Sequence, residues 1–268
     1  MSEAGETGPR STQGQPTPRE LEAIAIEAAS EGARVVRAAS GELGTVRTKS
    51  TPTDPVTSLD IAAERAIRAV LARRSPGASV LGEEDGEAAG SSGIGWIVDP
   101  IDGTVNLTYD LPVMGVSVAA TRKGEIVAGS VADVVREEVF SAALGGGARL
   151  DGQPLGVSAA TDLANSLIGT GFAYTPEGRA LEAAFLARVL PMARDIRCFG
   201  SAALNMCWVG CGRLDGFYQR NMQLWDYAAG ELIASEGGAT LTRPTSDNGR
   251  LMVASTPAIH EALRTVVA

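Results

Sequence analysis

Residues 96–104, which read Trp-Ile-Val-Asp-Pro-Ile-Asp-Gly-Thr, constrain this chain more than any other stretch. The apolar run Trp96–Val98 predicts a short buried strand. A sharp turn carrying two carboxylates, Asp99 and Asp102, is expected to follow it. The pair Gly103-Thr104 then allows the backbone to approach a ligand closely and adds a hydroxyl group. A strand that ends in acids and Gly-Thr favours a hard cation and a phosphate held side by side.

Composition narrows the chemistry. The net charge of −9 argues against nucleic acid as the main partner, because phosphate backbones bind basic surfaces. No apolar run approaches the ~20 residues that span a bilayer, and the N-terminus has no secretory signal, so we expect a cytoplasmic protein. The only histidine, His260, is expected on a terminal surface helix. Catalysis is therefore expected to use carboxylates, hydroxyl groups and metal.

Cysteine usage supports no metal or redox site. The chain has three cysteines, and none has the spacing of a zinc site. We expect them to be small buried side chains in a reducing cytosol. They are Cys198, Cys207 and Cys211.

Three segments are predicted along the chain. Residues 1–17 are rich in Gly, Pro, Ser and Thr and predict a disordered tail. Residues 18–152 predict an N-terminal α+β half with two helices, an antiparallel sheet and the acidic motifs. Residues 153–268 alternate strand and helix patterns and predict a C-terminal α/β half.

Acidic residues recur at predicted strand ends and helix starts, namely Glu83, the Asp99 and Asp102 pair, and Asp226. Taken singly, each is most simply a solvated surface acid. If they converge, two like charges 4 Å apart cost about 4 kcal/mol at an effective dielectric near 20. Such a cluster either takes up protons or binds cations, and oxygen ligands without Cys or His suit Mg²⁺ or Mn²⁺.

The order and spacing of these motifs resemble the inositol monophosphatase family of metal-dependent, lithium-sensitive phosphatases. The resemblance runs from about residue 20 to the end and is closest to the bacterial branch. Its matching segments are Lys49–Thr57 with Asp60, Gly82–Glu84, Trp96–Thr104, Gly200–Ala202 and Trp225–Gly230 with Glu236–Gly238. It implies an α+β fold, a layered αβαβα sandwich of the inositol monophosphatase and fructose-1,6-bisphosphatase type. It also implies a homodimer.

The resemblance implies two to three Mg²⁺ ions in one site. Glu83, Asp99 and the backbone carbonyl of Ile101 would hold the first ion. Asp99, Asp102 and Asp226 would hold the second, and a third, weaker ion would lie near Glu83 through water. Each ligand named here is an oxygen donor.

The same resemblance implies the catalytic and substrate-binding residues. Asp60 and Thr104 would orient and deprotonate a metal-bound water, with Glu83 completing the catalytic set. Gly103 and Thr104 would donate backbone N–H groups to the phosphate at a helix N-terminus. The implied substrate-binding residues are Glu83, Ile101, Asp102, Gly103, Thr104, Gly200, Ser201, Ala202, Gln219 and Asp226.

One position departs from the family pattern. Gln219 stands where the family often has a glutamate that contacts sugar hydroxyls, and Arg220 adds a charge beside it. This change leaves the ring preference open and makes a substrate with a second anionic group more plausible. The alternative is that Arg220 only faces solvent.

The predicted function is Mg²⁺-dependent hydrolysis of myo-inositol 1-phosphate by metal-activated water. Three related substrates remain alternatives: histidinol phosphate, fructose 1,6-bisphosphate and a 3′-phosphonucleotide. A non-catalytic regulatory or binding protein is the third reading. The sequence does not decide the substrate, the oligomeric state or the pathway.

Overall fold

The helices of this protein follow the start signals of the sequence closely. A computed structural model describes residues 14–39, 46–48 and 55–268. Within them the helices are α1 (Pro18–Ala38), α2 (Ser58–Arg74), α3 (Thr104–Thr108), α4 (Pro176–Val189), α5 (Ala202–Gly210), α6 (Leu224–Glu236) and α7 (His260–Val267). Thr17 and Thr57 each form a capping box at the start of α1 and α2. None of the described helices is long and apolar enough to cross a membrane.

The strands of the first half follow the acidic motifs and the predicted meander. They are β1 (Val46–Thr48), β2 (Pro55–Thr57), β3 (Ser79–Gly82), β4 (Gly86–Ala88), β5 (Ile94–Asp102), β6 (Gly115–Arg122), β7 (Glu125–Asp133), β8 (Glu138–Ala143), β9 (Ala148–Leu150) and β10 (Gln153–Pro154). The second half adds β11 (Leu167–Thr170), β12 (Asp195–Cys198), β13 (Gly216–Arg220), β14 (Thr240–Thr242) and β15 (Leu251–Ser255). Short 3₁₀ turns cover Leu163–Asn165 and Pro257–Ile259.

The larger sheet has eight strands in the order β10-β9-β8-β7-β6-β5-β3-β4. Only the β3–β5 pair is parallel, and the other pairs of this sheet are antiparallel. Helices α1 and α2 pack on one face of the sheet, where Leu21, Ile67 and Trp96 are almost completely buried. Burying side chains of this size is the main favourable term in folding.

The smaller sheet has five strands in the order β12-β11-β13-β15-β14. Strands β12, β11 and β13 run parallel, and β15 and β14 continue antiparallel. Helices α5 and α6 lie between the two sheets, in a core that includes Leu204, Phe217 and Ile233. Helices α4 and α7 cover the outer face. The order helix, sheet, helix, sheet, helix confirms the αβαβα sandwich.

Several local predictions require correction or stay open. His260 is 8% exposed rather than a surface residue, and its ring nitrogens lie 3.0 Å from the hydroxyls of Thr242 and Ser255. Residues 1–13 and 49–54, which include most of the predicted tail and of the proline-rich segment, lie outside the described residues. Thr17, at the end of the predicted tail, caps α1.

Candidate active site

The central strand β5 does not end before its acids, as the sequence predicted, but runs through them to Asp102. Asp99 pairs with Ser117 and Asp102 with Gly115 of β6, so three residue steps on β5 oppose two on β6. Two residues three apart on a regular strand point to opposite faces. Here β5 has one extra residue relative to β6, and this bulge interrupts the alternation of side chains between the two faces of the sheet. Both carboxylates therefore line the same cavity.

Asp99 is the most strongly perturbed of the acids. It is 2% exposed, and its Oδ1 accepts a hydrogen bond of 3.1 Å from the backbone N–H of Ile101. Burial raises the pKa of Asp99 well above its ordinary value, and the charges of Glu83, Asp102 and Asp226 raise it further. A hydrogen bond shared with Glu83 adds to this rise in pKa. The four acids are therefore electrostatic neighbours.

Asp102 connects the two halves of the chain. Its carboxylate accepts hydrogen bonds from Ser201 Oγ at 2.6 Å, the N–H of Ala203 at 2.6 Å and the N–H of Ala202 at 3.2 Å. These donors form the start of α5, so Asp102 caps that helix from the other half. Burial raises the pKa of Asp102 to about 6, although the three hydrogen bonds lower it.

Asp60 performs the ordinary role of a helix acid and also reaches the site. One oxygen accepts from the N–H and hydroxyl of Thr57 at 2.8 and 2.6 Å, within the capping box of α2. The other lies 3.1 Å from Thr104 Oγ1, which is also 3.0 Å from the carbonyl oxygen of Ile101. Asp60 is 1% exposed and lies behind Thr104, outside the cavity lining.

Gly103 fits the turn between β5 and α3 for two reasons. Its φ of 114° lies in the left-handed region that side chains other than glycine rarely adopt. A Cβ at this position would also lie 2.9 Å from the carbonyl oxygen of Val113. The first N–H groups of α3 have no partner within the helix, so they remain candidates for an anion. With only five residues in α3, the helix dipole adds little.

One cavity of about 1220 Å³ gathers most of the predicted site. Of the residues predicted from the sequence, Asp60 and Ser201 lie just outside its lining, in contact with Thr104 and Asp102 respectively. The predicted residues that line it are Glu83, Asp99, Ile101, Asp102, Gly103, Thr104, Gly200, Ala202, Gln219 and Asp226.

The departing pair Gln219 and Arg220 lies on the far wall of this cavity. Gln219 packs over Gly171, where an added Cβ would lie 2.5 Å from Gln219 Cδ and displace the amide. The Arg220 guanidinium donates to the carbonyl oxygens of Asn248, Gly249 and Val267 at 2.6 to 3.0 Å. It also lies 4.4 Å above the ring of Phe185. Arg220 is thus bonded within the fold and does not only face solvent, and its preference for a substrate with a second anionic group stays a prediction.

The cavity also contains features that the sequence motifs did not predict. Tyr109, Phe172 and Tyr174 line it and are 75, 38 and 45% exposed. Asn106 donates from its amide to the carbonyl oxygens of Val113 and Phe199 at 2.9 and 2.6 Å, which joins α3 to the loop before Gly200. No periodic pattern marks such loop contacts, because both partners are distant in sequence.

The donor chemistry of the acids suits Mg²⁺, but the ligands are not yet arranged around an ion. In the part of the chain that the structure describes, no group of three or more Asp, Glu, His or Cys side chains forms a ready metal site. In this structure Asp99 hydrogen-bonds to Glu83, and Asp102 accepts from the start of α5. The remaining test is chemical. Carboxylates with a backbone carbonyl beside them are the hard oxygen donors that Mg²⁺ prefers.

Several known proteins are similar to this chain over most of its length. The sequence profile described as the inositol monophosphatase family matches residues 17–268. The "Inositol-1-monophosphatase" of Mycobacterium leprae is 45% identical over 269 residues, which is 92% of each chain. The solved structure "Mycobacterium tuberculosis SuhB" is 40% identical with a TM-score of 0.82, covering 94% of this chain and 96% of that one.

A further relative carries a different kind of name. The "Nus factor SuhB" of Pasteurella multocida is 37% identical over 219 residues, covering 80% of this chain and 82% of that protein. Similarity of sequence therefore extends to relatives that are not named as phosphatases.

Proposed function

The chain belongs to the inositol monophosphatase family, and we propose that it hydrolyses myo-inositol 1-phosphate, or a similar inositol monophosphate, with Mg²⁺ as cofactor. The observation that carries this proposal is the convergence of Glu83, Asp99, Asp102 and Asp226 on one cavity. Their negative charge would repel a phosphate monoester, so substrate and pocket are compatible only if divalent cations lie between them.

We assign the ligands as the family resemblance suggests. Glu83, Asp99 and the carbonyl of Ile101 would hold one ion, and Asp99, Asp102 and Asp226 a second. A third, weaker ion near Glu83 would complete the two to three expected. When bound, Mg²⁺ supplies Lewis acidity toward phosphoryl and water oxygens.

The chain's own residues would bind the substrate and handle the proton. The N–H groups of Gly103 and Thr104 would donate to phosphate oxygens. The Thr104 hydroxyl, placed 3.1 Å from Asp60 Oδ1, would orient the attacking water. Asp60 would take up the proton through that hydroxyl, a role that fits its buried position behind Thr104.

The alcohol part of the substrate would lie against the second half of the chain. The loop at Gly200 and Ala202 and the amide of Gln219 line that side of the cavity. A glutamine both donates and accepts hydrogen bonds, so it suits hydroxyl groups of a polyol. Arg220 donates to carbonyl oxygens, which leave its positive charge in place, and it lines the cavity, so a second anionic group on the substrate is compatible with this wall.

A substrate panel tests this proposal. Phosphate release is measured from myo-inositol 1-phosphate, histidinol phosphate, fructose 1,6-bisphosphate and a 3′-phosphonucleotide, each with and without Mg²⁺. We expect Mg²⁺-dependent turnover that is fastest with the inositol phosphate. Faster turnover of another member would reassign the substrate. No turnover of any member, in a folded protein that contains Mg²⁺, would favour the non-catalytic reading.

The family resemblance adds two properties to the proposal. We expect Li⁺ to inhibit the reaction, measured as a dose-dependent loss of phosphate release. We also expect a homodimer, measured as a molar mass of twice 27.6 kDa in light scattering.

A further inference from the structure

A second acid of α2 contacts the site from one helical turn beyond Asp60. Glu64 is completely buried, and its carboxylate accepts the backbone N–H groups of Glu84 at 2.9 Å and Asp85 at 3.2 Å. Arg68, one further turn along α2, donates to Glu64 at 2.7 Å and to the carbonyl oxygen of Gly86 at 2.7 Å. The turn from β3 to β4 is thus bonded to α2 by both members of an ion pair whose carboxylate is buried and whose guanidinium is partly exposed.

The sequence at Gly82 is adapted to this contact. A Cβ built on Gly82 would lie 2.5 Å from Glu64 Cδ and 2.7 Å from an Arg68 guanidinium nitrogen. Gly82 has no positive φ, so its glycine is explained by close approach and not by backbone conformation. The carboxylate of Glu64 can reach the turn only because position 82 has no side chain.

The backbone on both sides of Glu83 is held by hydrogen bonds. On one side its own N–H donates to the carbonyl oxygen of Val98 at 3.2 Å, next to Asp99. On the other side, the two N–H groups that follow Glu83 are held by Glu64. A carboxylate on a short turn would otherwise sample several backbone conformations, and each must be lost when it binds an ion.

We propose that Glu64 is a positioning residue that fixes the backbone of Glu83 and thereby sets the affinity of the cavity for divalent ions. This inference rests on the proposed function in that Glu83 is taken as a metal ligand. Residues that do not touch the metal but orient its ligands typically lower the metal affinity 10- to 100-fold when they are substituted. Arg68 offsets the charge of Glu64, so the buried carboxylate remains an acceptor for the turn.

Glu64→Gln tests the proposal, because the amide keeps the size of the side chain but loses one acceptor and the charge. The measurement is the midpoint concentration of Mg²⁺, and separately of Mn²⁺, for the ion-induced rise in melting temperature of the full chain. We expect the midpoint to rise about 10-fold or more. At saturating Mg²⁺, we expect kcat to recover to within a few-fold of wild type.

Glu22→Gln is the matched control. Glu22 is also a buried helix acid at 5% exposure, bonded to Arg19 at 2.6 Å and Ser141 at 2.8 Å, but it has no contact with the turn at Glu83. Its substitution should lower the melting temperature and leave the ion midpoint unchanged. If Glu64→Gln does not fold, Gly82→Ala replaces it, since the added methyl group displaces the Glu64 carboxylate from the turn.

Two results would overturn the inference: one removes the role of Glu64 alone, and the other removes the metal site as well. An unchanged ion midpoint in Glu64→Gln or Gly82→Ala, with a wild-type protein that responds to the ions, would show that Glu64 serves stability alone. A wild-type protein that responds to neither ion would remove the metal site and the role of Glu64 with it. A wild type that binds ions but hydrolyses no phosphate ester would refute the proposed function only.

Discussion

Asp99 would have to be negatively charged to bind a metal ion, but burial and three neighbouring acids disfavour that charge. In the absence of a cation, burial and the neighbouring charges raise the pKa of Asp99 and so favour its protonated form. Asp133 makes a contrast: it is equally buried, but its oxygens accept from the N–H groups of Val135 and Arg136 and from the Arg136 side chain. Asp133 is thus paired with a cation, whereas the neighbours of Asp99 are one N–H group and three acids.

Asp99→Asn should therefore abolish Mg²⁺-dependent phosphate release and leave the fold intact. Because the substitution removes a repelled charge, we expect the melting temperature of the metal-free protein at pH 8 to stay the same or rise by a few degrees. Asp133→Asn is the control and should lower it. Activity retained in Asp99→Asn would exclude Asp99 as a ligand of both ions.

At the scale of elements, Asp102 at the end of β5 also bonds the start of α5, and we expect its titration to be linked to the proposed ion binding. Burial raises the pKa of Asp102 to about 6 in the folded protein, whereas the ordinary pKa of 3.8 applies in the unfolded chain. Between these two pH values the folded protein therefore binds one more proton than the unfolded chain. This carboxyl therefore stabilises the metal-free fold below about pH 4, and that contribution is lost as the pH rises through 6. A divalent ion must displace the same proton.

We accordingly expect the rise in melting temperature caused by saturating Mg²⁺ to be small at pH 5 and large at pH 7.5. The buried His260 has a lowered pKa, which makes the fold more stable as pH rises in the same window. Its contribution is equal with and without Mg²⁺, so the difference between the two conditions isolates the acids. An equal Mg²⁺ effect at both pH values would contradict this linkage.

Local signals in the sequence predicted elements well where the cause was itself local. The two helices predicted for residues 18–152 are α1 and α2, and each begins at a capping box between residues three apart in sequence. The end of the central strand was predicted wrongly, because it depends on pairing with another strand. Strand β5 continues past Val98 to Asp102, paired with β6 and carrying one extra residue relative to it.

At the scale of the whole molecule, the site exists because two halves meet. Glu83 and Asp226 are separated by 143 positions, and both line the same cavity. No spacing rule predicts that meeting; the resemblance to a family suggested it. The contacts behind the site, such as Asn106 to Phe199 and Glu64 to Glu84, were not predicted because each joins a helix to a loop or turn that only the fold brings beside it.

The N-terminal segment gives a prediction at this scale. Removing residues 1–13 should change neither melting temperature nor activity. Removing residues 1–17 should lower the melting temperature, because it deletes the Thr17 cap and the carbonyl of Pro16 that accepts from Arg122. The loss of a cap costs about 1 kcal/mol. Equal melting temperatures for the two truncated chains would show that this anchor contributes nothing.

Crystals of the protein soaked in Mn²⁺ would show whether the acids bind divalent ions, since manganese can be located by its anomalous scattering. We expect peaks in the cavity at two positions, one ligated by Glu83, Asp99 and the Ile101 carbonyl and one by Asp99, Asp102 and Asp226. Crystals of an active protein that show no manganese between these acids would contradict this expectation.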